Sequence, residues 1–351
     1  MTERRAFLKE AGAIAGVAFA GCSLLDAAQA QTGAMRREVL VSGRRVKTID
    51  VHAHCAIPEA MALMGMKPAP QSLVMGADRL RAMDEQGIDM AALSINPYWY
   101  KAERDLAQGV IKLQNEKLAE VCAAQPDRFV GFASVALQHP DLAAQQLEDG
   151  VRKLGLRGGS VGTNVAGEDL ADPKFHPFWA KAEQLGCLIF MHPTGTAGFE
   201  KRLGGSGGLT NVIGNPLETT IALSHLIFEG TLDRFPGLKI CAAHGGGYLP
   251  SYAARSDAGC VTFPQRCTKP LKKKPTEYLK QLYYDTIVFT PEALRHLAAE
   301  VGSSQIVMGT DYPFPWEKAA VNLVLGTPGL SDAERAAILG GTAARLLGIT
   351  S

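Results

Sequence analysis

Short apolar runs alternate with longer stretches of helical periodicity along nearly the whole chain. This alternation limits the fold more than any other feature. The runs are VKTIDVHAH (46–54), DMAALSIN (89–96), RFVGFASVAL (128–137), LRGGSVGTNV (156–165), CLIFMHP (187–193), LKICAAHGG (238–246), LYYDTIVF (282–289) and QIVMGTDYP (305–313). Most are almost continuously apolar, as parallel strands buried on both faces are. The fourth is rich in glycine. Between them, GADRLRAMDEQG (76–87) has an acidic start and a glycine stop. Residues 102–126 repeat Leu106, Val110, Leu113, Leu118 and Val121 at near-helical spacing before Pro126. Helices are also expected over 140–155, 176–186, 217–234, 248–259, 291–301 and 332–348. Eight such units predict one (β/α)8 TIM barrel over residues 31–351, with an open doubly wound sheet as the alternative.

The first 30 residues read differently. Arg4 and Arg5 precede Phe7-Leu8-Lys9, an apolar AGAIAGVAFAG follows, and Ala28 and Ala30 stand at a small-residue cut site. These residues are expected to be a twin-arginine signal peptide, cut after Ala30, that delivers the protein to the periplasm. The apolar run is too short for a comfortable membrane span. Cleavage before Cys22 in FAGC, as in a lipoprotein, is the alternative. The remaining chain is expected to have no membrane association. A formal net charge of +1 gives no reason to expect nucleic acid as a partner, and Lys272–Lys274 reads as a solvated loop. Of seven cysteines, Cys55, Cys187 and Cys241 belong to apolar runs. Cys260 and Cys267 could bridge in an oxidising compartment, which spacing alone leaves open.

A barrel of this kind does chemistry at the C-terminal ends of its strands. Those ends carry His52 and His54, His192, His244 and Asp311, so half of the eight histidines meet one aspartate at one rim. Residues two apart on a strand point to one side, so His52 and His54 aim together. Three imidazoles and a carboxylate from His52, His54, His192 and Asp311 suit one divalent transition metal, with zinc the first expectation and manganese the second. Such an ion would lower the pKa of a bound water or polarise a substrate oxygen. LRGGSVGT offers no lysine to bridge a second ion. His244, before GGGYLP, is assigned to proton transfer. His139, His176, His225 and His296 read as structural or surface residues. GGSGG (204–208) lacks the features of a phosphate loop and is expected to form a lid.

IDVHAH, RFVGFASVALQHPDLA, FHPFWAKAEQLGCLIFMHP, residues 214–255 and IVMGTDYPFP together resemble the amidohydrolase superfamily. Within it they are similar to the branch of α-amino-β-carboxymuconate-ε-semialdehyde decarboxylase. The resemblance implies a metal-dependent barrel that removes CO₂ without oxidation, with His52, His54, His192 and Asp311 as ligands and His244 as the acid–base residue. It also implies that Arg255 reaches the substrate of a neighbouring subunit, hence a homodimer. Two departures point away from the muconate semialdehyde itself. The arginine expected before the first helix is missing from APQSLVMGAD, and Thr194 stands where the branch has a bulky aromatic. The expected substrate is a small aromatic or unsaturated carboxylic acid, anchored by Arg255 or by Lys201 and Arg202 on the lid. Hydrolysis of a lactone, amide or ester is the alternative, because it uses the same groups.

Overall fold

The computed structural model describes residues 36–314, 316 and 319–350. The expected signal peptide lies outside them. The apolar runs become eight parallel strands: β1 (Ile49–His54), β2 (Met90–Ser94), β3 (Phe129–Gly131, resumed at Ala133–Ser134), β4 (Gly158–Gly162), β5 (Leu188–His192), β6 (Lys239–Ala242), β7 (Tyr283–Asp285) and β8 (Ile306–Val307). Neighbours in sequence are neighbours in the sheet, with one row running β1 to β3 and the other from the resumed β3 to β8. Phe132 carries β3 between the two rows and donates its N–H to Leu93 O at 2.9 Å. The ring closes where Val51 N–H meets Met308 O at 2.9 Å, Asp311 N–H meets His52 O at 2.8 Å and His54 N–H meets Tyr312 O at 2.7 Å. The eighth run is thus a short strand followed by irregular backbone still bonded to β1.

Among the helices of the described residues, these follow the strands in turn: α1 (Ala77–Gln86), α2 (Arg104–Ala124), α3 (Pro140–Arg152), α4 (His176–Leu185), α5 (Asn215–Phe228), α6 (Leu249–Thr262), α7 (Pro291–Val301) and α8 (Thr342–Leu347). Proline in the first turn starts α3 to α7, where a missing N–H costs nothing. Glycines in the left-handed conformation end α1 and α4. The helix expected over 217–234 stops at Phe228, because Gly230 turns left-handed before a separate single turn. The last helix comes in three continuous segments from Asp332 to Leu347. No helix among the described residues is long and apolar enough to cross a membrane.

Strand periodicity sorts the core into two layers. Leu188, Phe190, Cys241, Ala243 and Val307 face inward with Phe132 and with Leu346 and Leu347 of α8. Ile189, Met191, Ile240, Ala242 and Ile306 face the helices. In β1 the inward residues are Ile49 and Val51, yet Ala53 belongs to the outer layer. A register shift between Asp50 and Ala53 resolves this. The bulge changes the parity of the strand and turns His52 and His54 inward, as bulges beside active sites do. The glycines of β4 are a packing requirement, since a Cβ on Gly158 would lie 2.0 Å from Leu188 O. Cys260 and Cys267, at the end of α6, form a disulfide.

Candidate metal and active centre

Strand ends bring His52, His54, His192, His244 and Asp311 together above a floor made by Phe190. The Phe190 ring centroid is 4.9 Å from that of His52. Nitrogen or oxygen atoms of His52, His192, His244 and Asp311 all lie within 4.8 Å of one another. His54 joins on one side, its Nε2 3.0 Å from His52 Nε2 and 2.9 Å from Asp311 Oδ1.

Each inward imidazole is held at its outer nitrogen. His52 Nδ1–H donates to Asp285 Oδ2 at 2.6 Å, and His192 Nδ1–H donates to Pro193 O at 2.9 Å. His54 Nδ1 lies 3.2 Å from Ser94 Oγ, whose own proton goes to Ala53 O. That arrangement turns the three Nε2 atoms toward the centre. Asp311 Oδ1 is 3.2 Å from His52 Nε2, is buried, and accepts no well-formed hydrogen bond. Acceptors that converge in a buried space need a positive charge among them. Nitrogen and carboxylate donors in this number are those of a divalent metal site.

The same crowding governs protonation. Burial opposes a charge on His52, but Asp311 and Asp285 outweigh it and push its pKa up to about 10. Burial, helped by the neighbouring His52 and His244, drives His54 down to about 4. Burial and the surrounding imidazoles hold His192 well below the usual histidine range. The lone pairs of His54 and His192 therefore stay free at neutral pH. Burial would raise Asp311, but His52 and the contacts with His244 and His54 keep it far below the usual carboxylate range.

His244 occupies the open side. Its side chain is 14% exposed against 0% for His52, and its Nε2 lies 3.8 Å from Asp311 Oδ2. His244 and Asp311 both have left-handed backbone, with φ 57° and 60°. Two adjoining cavities open on this pair. One, of about 320 Å³, is walled by Val212, Tyr248, Ile287, Phe289 and His296. The other, of about 350 Å³, is walled by Asn96, His192, Thr194 and Phe314. Asn211, Asn215 and Trp316 line both. His296, expected to be a structural or surface residue, is exposed, borders the first cavity and meets Ser251 Oγ at 3.1 Å.

No lysine or arginine lines either cavity among the described residues. Lys201 and Arg202 are exposed on the loop before GGSGG. Arg255 is exposed on α6 and borders a separate space with Phe228, Arg266 and the Cys260–Cys267 disulfide. Within one chain, then, the expected anchors stand apart from the rim cluster. His139, His176 and His225 also lie outside it, beside Ala102 O, Phe235 and Asp169 respectively.

Two residues that sequence reasoning missed matter here. Arg79 of α1 is buried, donates to His54 O and lies 4.6 Å from the Tyr312 ring centroid, bracing both sides of the β1–β8 seam at its C-terminal end. Asp285 ends β7 and faces inward two residues after Tyr283. Its place as the one carboxylate inside the apolar run LYYDTIVF was the available signal. Gly309 makes room for it: a Cβ there would lie 2.9 Å from His52 Cβ and 3.1 Å from Asp285 Cβ.

A parallel barrel with a ring of histidines and an aspartate at its C-terminal rim defines a metal-dependent enzyme of the amidohydrolase type. The Amidohydrolase family pattern matches residues 49–349, and the chain belongs to that family. It is 33% identical over 278 residues to the 2-amino-3-carboxymuconate-6-semialdehyde decarboxylase of Dictyostelium discoideum, covering 77% of this chain and 76% of that protein. It is 32% identical to the γ-resorcylate decarboxylase of Rhodococcus jostii, covering 67% of this chain and 76% of that one. It superposes with a TM-score of 0.78 and 28% identity on a dihydroxybenzoic acid decarboxylase from a Polaromonas strain, solved with bound manganese and the inhibitor 2-nitroresorcinol. That match covers 87% of this chain and 97% of the other.

Proposed function

We propose that the protein is a metal-dependent, non-oxidative decarboxylase of a small aromatic carboxylic acid. One observation carries this reading. His244 is the rim imidazole that lines both cavities, and it stands across from a convergent set of buried acceptors. His52, His54, His192 and Asp311 would hold one divalent ion, with zinc our first choice and manganese the second. When bound, that ion supplies positive charge to a substrate oxygen.

The chain's own groups do the rest. Phe289, Phe314 and Trp316 offer flat apolar walls to a ring. His244 Nε2 gives a proton to the ring carbon as its bond to the carboxylate breaks, so CO₂ departs and hydrogen takes its place. Arg255 of a second copy would supply the cation that the cavities lack, which makes the working unit a homodimer.

The test is to incubate metal-replete protein with a panel of hydroxybenzoic acids and simple esters and lactones in D₂O. Labelled CO₂ and deuterium at the former carboxyl carbon are expected. Ester or lactone cleavage with no CO₂ would replace this reading by a hydrolase. Elemental analysis should give about one metal per chain, and two would overturn the single-ion assignment.

A further inference from the structure

Asp285 is fully buried and accepts four hydrogen bonds. Its Oδ2 takes His52 Nδ1–H at 2.6 Å and the His244 backbone N–H at 2.9 Å. Its Oδ1 takes the Gly245 N–H at 2.9 Å and the Ile287 N–H at 3.0 Å. The amides of His244 and Gly245 are consecutive, and both residues are left-handed, with φ 57° and 61°. Successive amides in such a turn form a concave nest that wants an anion. Asp285 fills it. Gly245 is wedged there, since a Cβ would come within 2.5 Å of Val288 Cγ1.

One carboxylate oxygen therefore touches both halves of the centre. Through the ring it fixes which nitrogen of His52 faces inward. Through the backbone it fixes where the His244 side chain starts. We propose that Asp285 is a positioning residue that sets the metal ligand His52 and the proton-transfer residue His244 in one frame. This rests on the roles given to those two histidines above. A carboxylate that merely braced β7 would need neither Oδ2 contact.

The experiment is Asp285→Asn, with zinc and manganese affinity, kcat and KM measured beside wild type. The side-chain amide has one oxygen, and its nitrogen faces either the His52 ring and the His244 N–H or the Gly245 and Ile287 N–H groups, so two of the four contacts are lost. Metal affinity is expected to fall about 10- to 100-fold, the usual scale for losing such a support. At saturating metal, kcat should still be at least about tenfold down, with KM within about twofold, because a displaced His244 slows proton transfer without unseating substrate. Wild-type metal affinity in the variant, or full recovery of kcat with added metal, would overturn the proposal. Wild-type protein that binds no metal would overturn the underlying site reading, and this inference with it. A second measurement needs no variant. In nitrogen-15-labelled wild-type protein, His52 should carry a hydrogen-bonded proton on Nδ1, and the His244 and Gly245 amides should exchange slowly. An unprotonated Nδ1, or amides that exchange like an exposed loop, would refute it even if Asp285→Asn failed to fold.

Discussion

Replacing His244 by asparagine separates proton transfer from every other role the residue could have. Asparagine tolerates the left-handed backbone at φ 57°, so the turn and its N–H to Asp285 survive. The imidazole Nδ1 has no partner to lose, and Nε2 sits 3.8 Å from Asp311, too far for a strong bond. The stability cost should be about 1 kcal/mol, typical of a point substitution without a special mechanism. Activity should suffer far more. Removing a general acid costs about 10²- to 10⁴-fold in rate, or roughly 2.7–5.4 kcal/mol of barrier. Substrate loss followed by absorbance, metal content per chain and melting temperature should be measured on one preparation. Turnover within about threefold of wild type in a folded, metal-loaded variant would refute the assignment. Loss of metal with the activity would make His244 a ligand, which its place within 4.8 Å of the other donors allows.

Further expectations concern the support of the site, its anchor and its route. Burial, opposed by Thr310 and the His52 N–H, pushes the Asp50 carboxyl up to about 6 from its ordinary 3.8. The native state thus keeps a proton that the unfolded chain releases. Stability should fall as pH rises from about 4 to about 6, by roughly 3 kcal/mol if the whole shift is expressed. Asp50→Asn should flatten that slope in urea titrations, and identical slopes would disprove it. Arg255→Ala should lower kcat/KM about tenfold or more while leaving melting temperature unchanged, since a hydrogen bond to a charged group is worth about 1.5–3 kcal/mol. Full activity from a monomer would rule out the shared anchor. Replacing Arg4 and Arg5 by lysine should trap precursor in the cytoplasm, and unchanged periplasmic recovery on fractionation would dismiss the twin-arginine route.

The barrel was legible because burial on both faces leaves a plain mark, a run with no polar alternation. The rim histidines were legible because each closes such a run. What decided their direction was not. Counted by twos from Ile49 and Val51, His52 and His54 face outward, and only the register shift in β1 turns them in. Asp285 escaped notice because a lone carboxylate acquires meaning from neighbours 233 and 41 residues away. Glycine content does not break the fourth strand, because Gly158 admits the Leu188 carbonyl where a side chain could not. Arg255 shows the opposite limit: its position in sequence points to a site that its own chain does not bring near.

Gly309 closes the wall behind the centre, and this has a consequence for how such an enzyme can change. With His52 on one side, Asp285 on the other and a Cβ already too close to both, no larger residue can enter that seam without moving a donor. The floor is equally committed, because Phe190 packs against His52 and Phe132 packs against Phe190. New substrates must therefore be won from above, where Asn211, Val212, Phe289 and Trp316 stand on connecting segments that tolerate exchange. In this barrel selection can vary what is recognised without ever touching what reacts.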